Sequence, residues 1–180
     1  MRVTTGLTRC AGFGTGFGMN VLFLCLGNIC RSPLAEGAFR HLLAERGLTG
    51  LSVDSAGTGG WHAGEPPDAR SIRIASEHGV DISGQRARQL AADDFARFDW
   101  IVAMDGDNLR TAAARRPAGP RHERARLVAM LDFVPDRRDL DGVPDPYYGD
   151  LDGFREVWRL LTRGMPHLLT RVVESRKEGA

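Results

Sequence analysis

The segment Val21-Leu22-Phe23-Leu24-Cys25-Leu26-Gly27-Asn28-Ile29-Cys30-Arg31-Ser32-Pro33 restricts this chain to few architectures. Residues 21–24 are short, apolar and partly β-branched, which predicts a buried strand. Ser32 is a favourable N-cap, and Pro33 suits a first helical turn, where its missing N–H costs nothing. A buried strand that feeds a helix through so tight a loop opens an α/β unit.

The pattern repeats down the chain. Leu34, Ala35, Ala38, Phe39, Leu42 and Leu43 lie at helical spacing over residues 34–46, and Gly47 stops the helix. A second strand is predicted at 51–56, then a loop rich in glycine and proline at 57–67, and a helix at 68–77. Residues 100–104 read as a strand, 107–115 as a helix and 127–131 as the last strand. A closing helix spans 153–175, with Pro166 expected to kink it. No repeat or linker divides the chain. The expectation is one doubly wound α/β domain over residues 19–180, a four-stranded parallel sheet with helices on both faces. In such sheets ligands sit at the carboxyl ends of the strands, where Cys25 stands.

The loop after Cys25 carries the chemistry. Gly27 and Asn28 accept left-handed backbone conformations, so the loop amides can converge on one point. Amides converging before a helix N-terminus bind a tetrahedral dianion. Arg31 follows Cys25 with five residues between them, and places a guanidinium at the rim of that cradle. The amides, the helix dipole and the guanidinium together favour the thiolate of Cys25, and Ser32 can donate a hydrogen bond to it. A cysteine ending an apolar strand is more often a small buried hydrophobe. Here the loop composition favours a nucleophile behind a phosphate site.

These residues, followed by Ala35-Glu36, resemble the phosphate loop of the low-molecular-weight protein tyrosine phosphatases. The likeness continues through Asp54-Ser55-Ala56-Gly57-Thr58 and Trp61-His62. It goes on through Arg86-Ala87-Arg88-Gln89, Asp94-Phe95, Phe98-Asp99 and Met104-Asp105 with Asn108, and ends in Asp145-Pro146-Tyr147-Tyr148-Gly149-Asp150. It covers roughly residues 20–175, and its first and last motifs are specific. The resemblance implies a phosphatase acting through a phosphocysteine on Cys25, with Leu26, Gly27, Asn28, Ile29, Cys30 and Ser32 around the substrate phosphate and no metal or organic cofactor. The family position that commonly holds a histidine bonded to the loop serine is Gln85 here, which leaves the support of Ser32 open.

A nucleophile also needs an acid to protonate the leaving oxygen. Pro144 and Pro146 stiffen the chain around Asp145 and orient its carboxyl group. The residues alone read equally as an Asx-turn; the resemblance of Asp145-Pro146-Tyr147-Tyr148 to the family's acid loop assigns the acid. Trp61, Tyr147 and Tyr148 lie in predicted loops and are the candidate walls of a cleft deep enough for a phenyl phosphate. Ile29 favours phosphotyrosine, because threonine in its place resembles a branch specific for arginine-phosphate. An arsenate reductase would need cysteines downstream of Cys30, and the sequence has none. A phosphotyrosine-binding module without turnover would not need Asp145.

Bulk composition sets outer limits. With 180 residues, 42% of them hydrophobic, the chain suits one domain with a substantial core. A formal net charge of +1 gives no bulk attraction to nucleic acid or anionic membrane. No apolar stretch reaches the ~20 residues that span a bilayer. The partners expected are phosphotyrosine-containing proteins, the location cytoplasmic (export without a signal aside), and the molecule a monomer. Residues 1–18 lack the apolar core of a secretory signal and read as a flexible tail, with Met19 an alternative start. Cys10 lies in that tail. The five histidines are scattered, with no zinc spacing. Cys30 either packs beneath the loop or attacks an oxidised Cys25 to form a protective disulfide, and both can hold.

Overall fold

The computed structural model describes residues 18–136 and 140–178. The predicted tail, Gly18 apart, lies outside them, as does Cys10. The sheet consists of β1 (Met19–Cys25), β2 (Leu51–Gly57), β3 (Trp100–Ala103) and β4 (Arg126–Ala129), all parallel in the order β2-β1-β3-β4. Helices α1 (Arg31–Glu45), α2 (Ala69–Glu77) and α6 (Leu151–Glu178) pack together on one face. Helices α3 (Asp94–Arg97), α4 (Gly106–Arg115) and α5 (Pro120–Glu123) complete the chain order.

The unbroken apolar run of β1 follows from its place between two strands and two layers. Val21, Phe23 and Cys25 belong to the larger core with α1 and α6, where Phe23 meets Phe39 edge to face at 5.6 Å. Leu22 and Leu24 point the other way, into a second core with Phe95, Ile101 and Ala112. Alternate residues of one strand therefore feed opposite cores, as expected of a parallel strand covered on both faces. Truncating a phenylalanine so placed costs about 3–5 kcal/mol.

The strand order puts a topological switch at β1. The chain leaves β1 toward β2 on one side and later returns to β3 on the other, so a crevice opens at its carboxyl end. The loop from Cys25 to Arg31 stands in that crevice.

Several boundaries differ from the sequence reading. Helix α1 begins at Arg31, with Cys30 as its N-cap and no side-chain cap bond; Ser32 lies inside the helix, its hydroxyl turned inward to partners described below. The last strand stops at Ala129, and Met130–Phe133 winds into a 3₁₀ turn. Helix α6 carries Pro166 without interruption. The single-turn helices α3 and α5 have too few residues to show a period. Among the described residues, no helix is long and apolar enough to cross a membrane.

Candidate active site

Cys25 closes β1 with its sulfur buried at the floor of a cleft. The Asn28 amide donates to that sulfur at 3.3 Å, and the Ser32 hydroxyl lies 3.0 Å away. Asn28 holds the loop in shape. Its φ is 57°, a left-handed conformation that asparagine tolerates better than most residues. Its side chain secures that conformation from three sides. Nδ2 donates to Ser32 Oγ and Ser55 Oγ, each at 2.9 Å, and Oδ1 accepts from the Arg88 amide at 2.9 Å. Ser55 Oγ in turn donates a hydrogen bond to Glu36 Oε2 at 2.6 Å. Burial pushes the Glu36 carboxyl up from its ordinary range, opposed by the Ser55 hydrogen bond and the Arg40 guanidinium.

One lone pair of Ser32 Oγ is taken by Asn28, and its hydrogen has two acceptors in reach, Cys25 Sγ and the Ala56 carbonyl at 3.3 Å. With Cys25 ionised, the charged sulfur is the stronger acceptor. Gln85 takes no part: its Nε2 donates to the Pro33 carbonyl at 3.3 Å, and Asn28 orients Ser32 instead.

Gly27 serves the loop differently from expectation. Its φ is not in the left-handed region. A Cβ there would approach His62 Cδ2 at 3.1 Å, so glycine makes room for the opposite wall. Behind the loop, the amides of Thr58 and Gly59 hold the carbonyls of Cys25 and Leu26, both at 2.8 Å. A Cβ on Gly57 would lie 2.8 Å from the Leu26 carbonyl oxygen and 2.9 Å from that of Gly59, both backbone atoms. Gly57→Ala must therefore displace the loop. The expected result is a loss of about 1–3 kcal/mol in a denaturant melt, together with reduced turnover.

Arg31 is 3% exposed and carries two ion pairs. Nη1 lies 2.7 Å from Asp105 Oδ2 and Nη2 lies 2.5 Å from Asp145 Oδ2, while Nη1 also donates to the Val143 carbonyl at 3.1 Å. Burial works against the guanidinium charge, but Cys25, Asp145 and Asp105 outweigh it and raise its proton affinity. Its Nε is buried without a partner. A buried N–H without an acceptor is costly, and an oxyanion is a strong acceptor for a guanidinium.

Asp145 reaches the same cleft, its carboxyl half-exposed. Its Asp-Pro pair forms the Asx-turn that the residues alone suggest. Oδ1 accepts from the Tyr147 amide at 3.1 Å, an Asx-turn, while Oδ2 faces Arg31. Two further carboxylates, Asp105 and Asp150, cap helices. Asp105 Oδ1 caps α4 through the Asn108 amide at 2.7 Å, and Asp150 Oδ1 accepts from the first amides of α6.

Leu26, Ile29, Trp61, Tyr147 and Tyr148 form the walls, with His62 added by the structure. Tyr147 and Tyr148 meet edge to face at 5.0 Å, and Trp61 and Tyr148 are largely exposed. Asn28 and Ser32 stand behind the wall, so their side chains support the loop. Cys30 packs in the core and also borders the cleft. Burial, then Asp68 and Cys25, push its thiol well above the ordinary range. A broader groove beside β4, lined in part by Trp100, Arg126 and His167, holds no cysteine. His62 and Asp105 fall within the quoted motifs, but their contacts with the site join distant segments that spacing does not reveal.

Comparisons with known proteins agree with this geometry. The family model for low molecular weight phosphotyrosine protein phosphatase matches residues 20–178. The chain is 42% identical over 160 residues to the low molecular weight protein-tyrosine-phosphatase YfkJ of Bacillus subtilis, covering 88% of this chain and 99% of that one. Among solved structures, a protein tyrosine phosphatase from Entamoeba histolytica superimposes with a TM-score of 0.80 at 34% identity, covering 88% of this chain and 99% of its own. A Drosophila arginine phosphatase does so with a TM-score of 0.77 at 32% identity, covering 85% and 97%.

Proposed function

We propose that this chain, which belongs to the low molecular weight phosphotyrosine protein phosphatase family, hydrolyses phosphotyrosine in proteins through a phosphocysteine on Cys25. The observation that carries the reading is the meeting in one cleft of Cys25, the buried Arg31 with its unpartnered Nε, and Asp145. The Cys25 thiolate attacks phosphorus as the bond to the phenolic oxygen breaks, and Asp145 gives that oxygen its proton. Arg31 and the loop amides bind the equatorial oxygens, where charge is concentrated. Water then attacks the phosphocysteine, Asp145 takes back a proton, and the S–P bond breaks to release phosphate.

Ile29 and the aromatic walls support a phenolic substrate, since they offer apolar surface to a ring. The likeness to an arginine phosphatase makes phosphoarginine the second substrate to try. The test is release of phosphate from paired peptides carrying phosphotyrosine or phosphoarginine. Faster turnover of the phosphotyrosine peptide is expected. Preference for phosphoarginine overturns the substrate assignment, and binding of either without turnover overturns the enzyme.

The reading extends to redox control in a reducing cytoplasm. Peroxide converts the Cys25 thiolate to a sulfenic acid; Cys30 attacks that sulfur, water leaves with the Cys30 proton, and a disulfide remains for a dithiol to reduce. Cys30→Ser should keep most activity yet fail to recover when peroxide treatment is followed by dithiol. Recovery equal to the parent's refutes the protective role.

A further inference from the structure

The cleft is assembled from two segments far apart in sequence, the phosphate loop and the loop bearing Asp145. One helical turn touches both. At the start of α2, the Asp68 amide donates to the Ile29 carbonyl at 2.8 Å, and Ser71 Oγ donates to the Cys30 carbonyl at 3.3 Å. The side chain between them reaches the other way. Arg70 Nη2 donates to the Tyr147 carbonyl at 3.0 Å, and Nη1 donates to the Gly149 carbonyl at 2.8 Å.

The guanidinium is fixed before it makes those bonds. Nε and Nη2 form a two-point pair with Asp68, at 3.0 and 2.8 Å. Its face stacks on the Phe154 ring, 4.4 Å from the centroid, and Phe154 is fully buried in α6. A planar fork locked on one edge and one face presents its remaining N–H groups in set directions. The loop it holds otherwise faces solvent at Tyr147, Tyr148, Gly149 and Asp150. The Tyr147 amide is also the donor to Asp145 Oδ1. Holding the Tyr147 carbonyl thus restrains the residue that orients the acid.

We propose that Arg70 is a positioning residue for Asp145, fixing the acid loop to the same turn of α2 that grips the phosphate loop. The proposal rests on Asp145 being the acid, and its consequence is selective. Arg70 does not line the cleft, so its loss acts through the loop that carries Asp145 and Tyr147, and the part that acts through the acid is the part that depends on the leaving group. Misplacing a reacting group by about 1 Å costs up to about 10²-fold in rate.

The test measures kcat/KM across aryl phosphates of rising leaving-group pKa for the parent, Arg70→Gln, Arg70→Lys, Asp145→Asn and the Arg70→Gln/Asp145→Asn double variant. Arg70→Gln should lose about 10–10²-fold on phenyl phosphate and little on p-nitrophenyl phosphate, steepening the leaving-group dependence. Inhibition by inorganic phosphate should hold, because the phosphate loop is gripped by Asp68 and Ser71. Arg70→Lys, which keeps the charge but not the fork, should fall between parent and Arg70→Gln, and it carries the slope test alone if Arg70→Gln does not fold. The double variant should match Asp145→Asn. An even loss across the series, or losses that multiply in the double variant, overturns the role of Arg70. A shallow slope in Asp145→Asn overturns the acid assignment instead.

Discussion

Cys25→Ser is expected to lower turnover on the order of 10⁶-fold, the scale on which loss of a covalent nucleophile acts. Among the described residues the sulfur's hydrogen-bond partners are the Asn28 amide and the Ser32 hydroxyl, neither of them a base that could activate a serine hydroxyl in its place. Oxyanion binding should survive. The loop shape is set by the Asn28 side chain, by the bonds to its carbonyls from Thr58 and Gly59, and by the ion pairs of buried Arg31, bonds that are not made to the sulfur; the Asn28 amide, which donates to Sγ, can donate to a serine Oγ instead. Removing the thiolate also removes a negative charge next to a dianion, so inorganic phosphate should bind at least as well as in the parent. Calorimetric titration of the variant with phosphate, beside its turnover of a phosphotyrosine peptide, tests both halves. Substantial residual turnover would move the nucleophile elsewhere; lost phosphate binding would mean that the sulfur shapes the loop.

Much of this site was legible because its first part is local. The strand, the loop and the following helix lie within one short segment, and residue types there report directly on burial and backbone conformation. Asn28 was marked by its tolerance of the left-handed region, and it has φ 57°. The same local reasoning misplaced Ser32 as a helix cap. Its hydroxyl is instead drawn inward by Asn28 and Cys25, and the helix starts two residues earlier than a Ser32 cap would allow. Local propensity favours a capping serine, and it does not report that the loop turns Asn28 and Cys25 toward the hydroxyl.

Long-range pairing was out of reach for the same reason. Arg31 meets Asp105 and Asp145 across separations of 74 and 114 residues. Glu36 finds Ser55 across 19. Arg70 reaches Tyr147 across 77. Each pair exists because the strand order gathers the ends of β1, β2 and β3, and that order is a property of packing, not of spacing along the chain. Asp105 illustrates the difference. As a sequence feature it is an acidic residue at a strand end, equally suited to capping α4 or to supplying a proton. The structure engages both of its oxygens, one on the α4 amide and one on Arg31.

Asp145→Asn isolates the proton. The substitution keeps size and polarity, and the amide oxygen can still accept from the Tyr147 amide, so the loop turn should persist. It removes the ion pair to Arg31, yet the Asp145 side chain is 42% exposed, where such pairs contribute little to stability. Arg31 keeps Asp105 and the Val143 carbonyl. The melting temperature and phosphate affinity should therefore change little. Turnover of a phosphotyrosine peptide should drop by about 10²–10⁴-fold, the usual worth of general acid catalysis. The drop must depend on the leaving group. A p-nitrophenolate departs as a stable anion, whereas tyrosine's phenolate needs the proton, so the variant should show a steep dependence across aryl phosphates where the parent shows a shallow one. Asp105→Asn and Asp150→Asn serve as comparisons. Asp105→Asn should weaken phosphate binding by loosening Arg31, and Asp150→Asn should fray the start of α6, each with the parent's shallow slope. A steep slope in either of them, with a shallow one in Asp145→Asn, would transfer the acid to that residue.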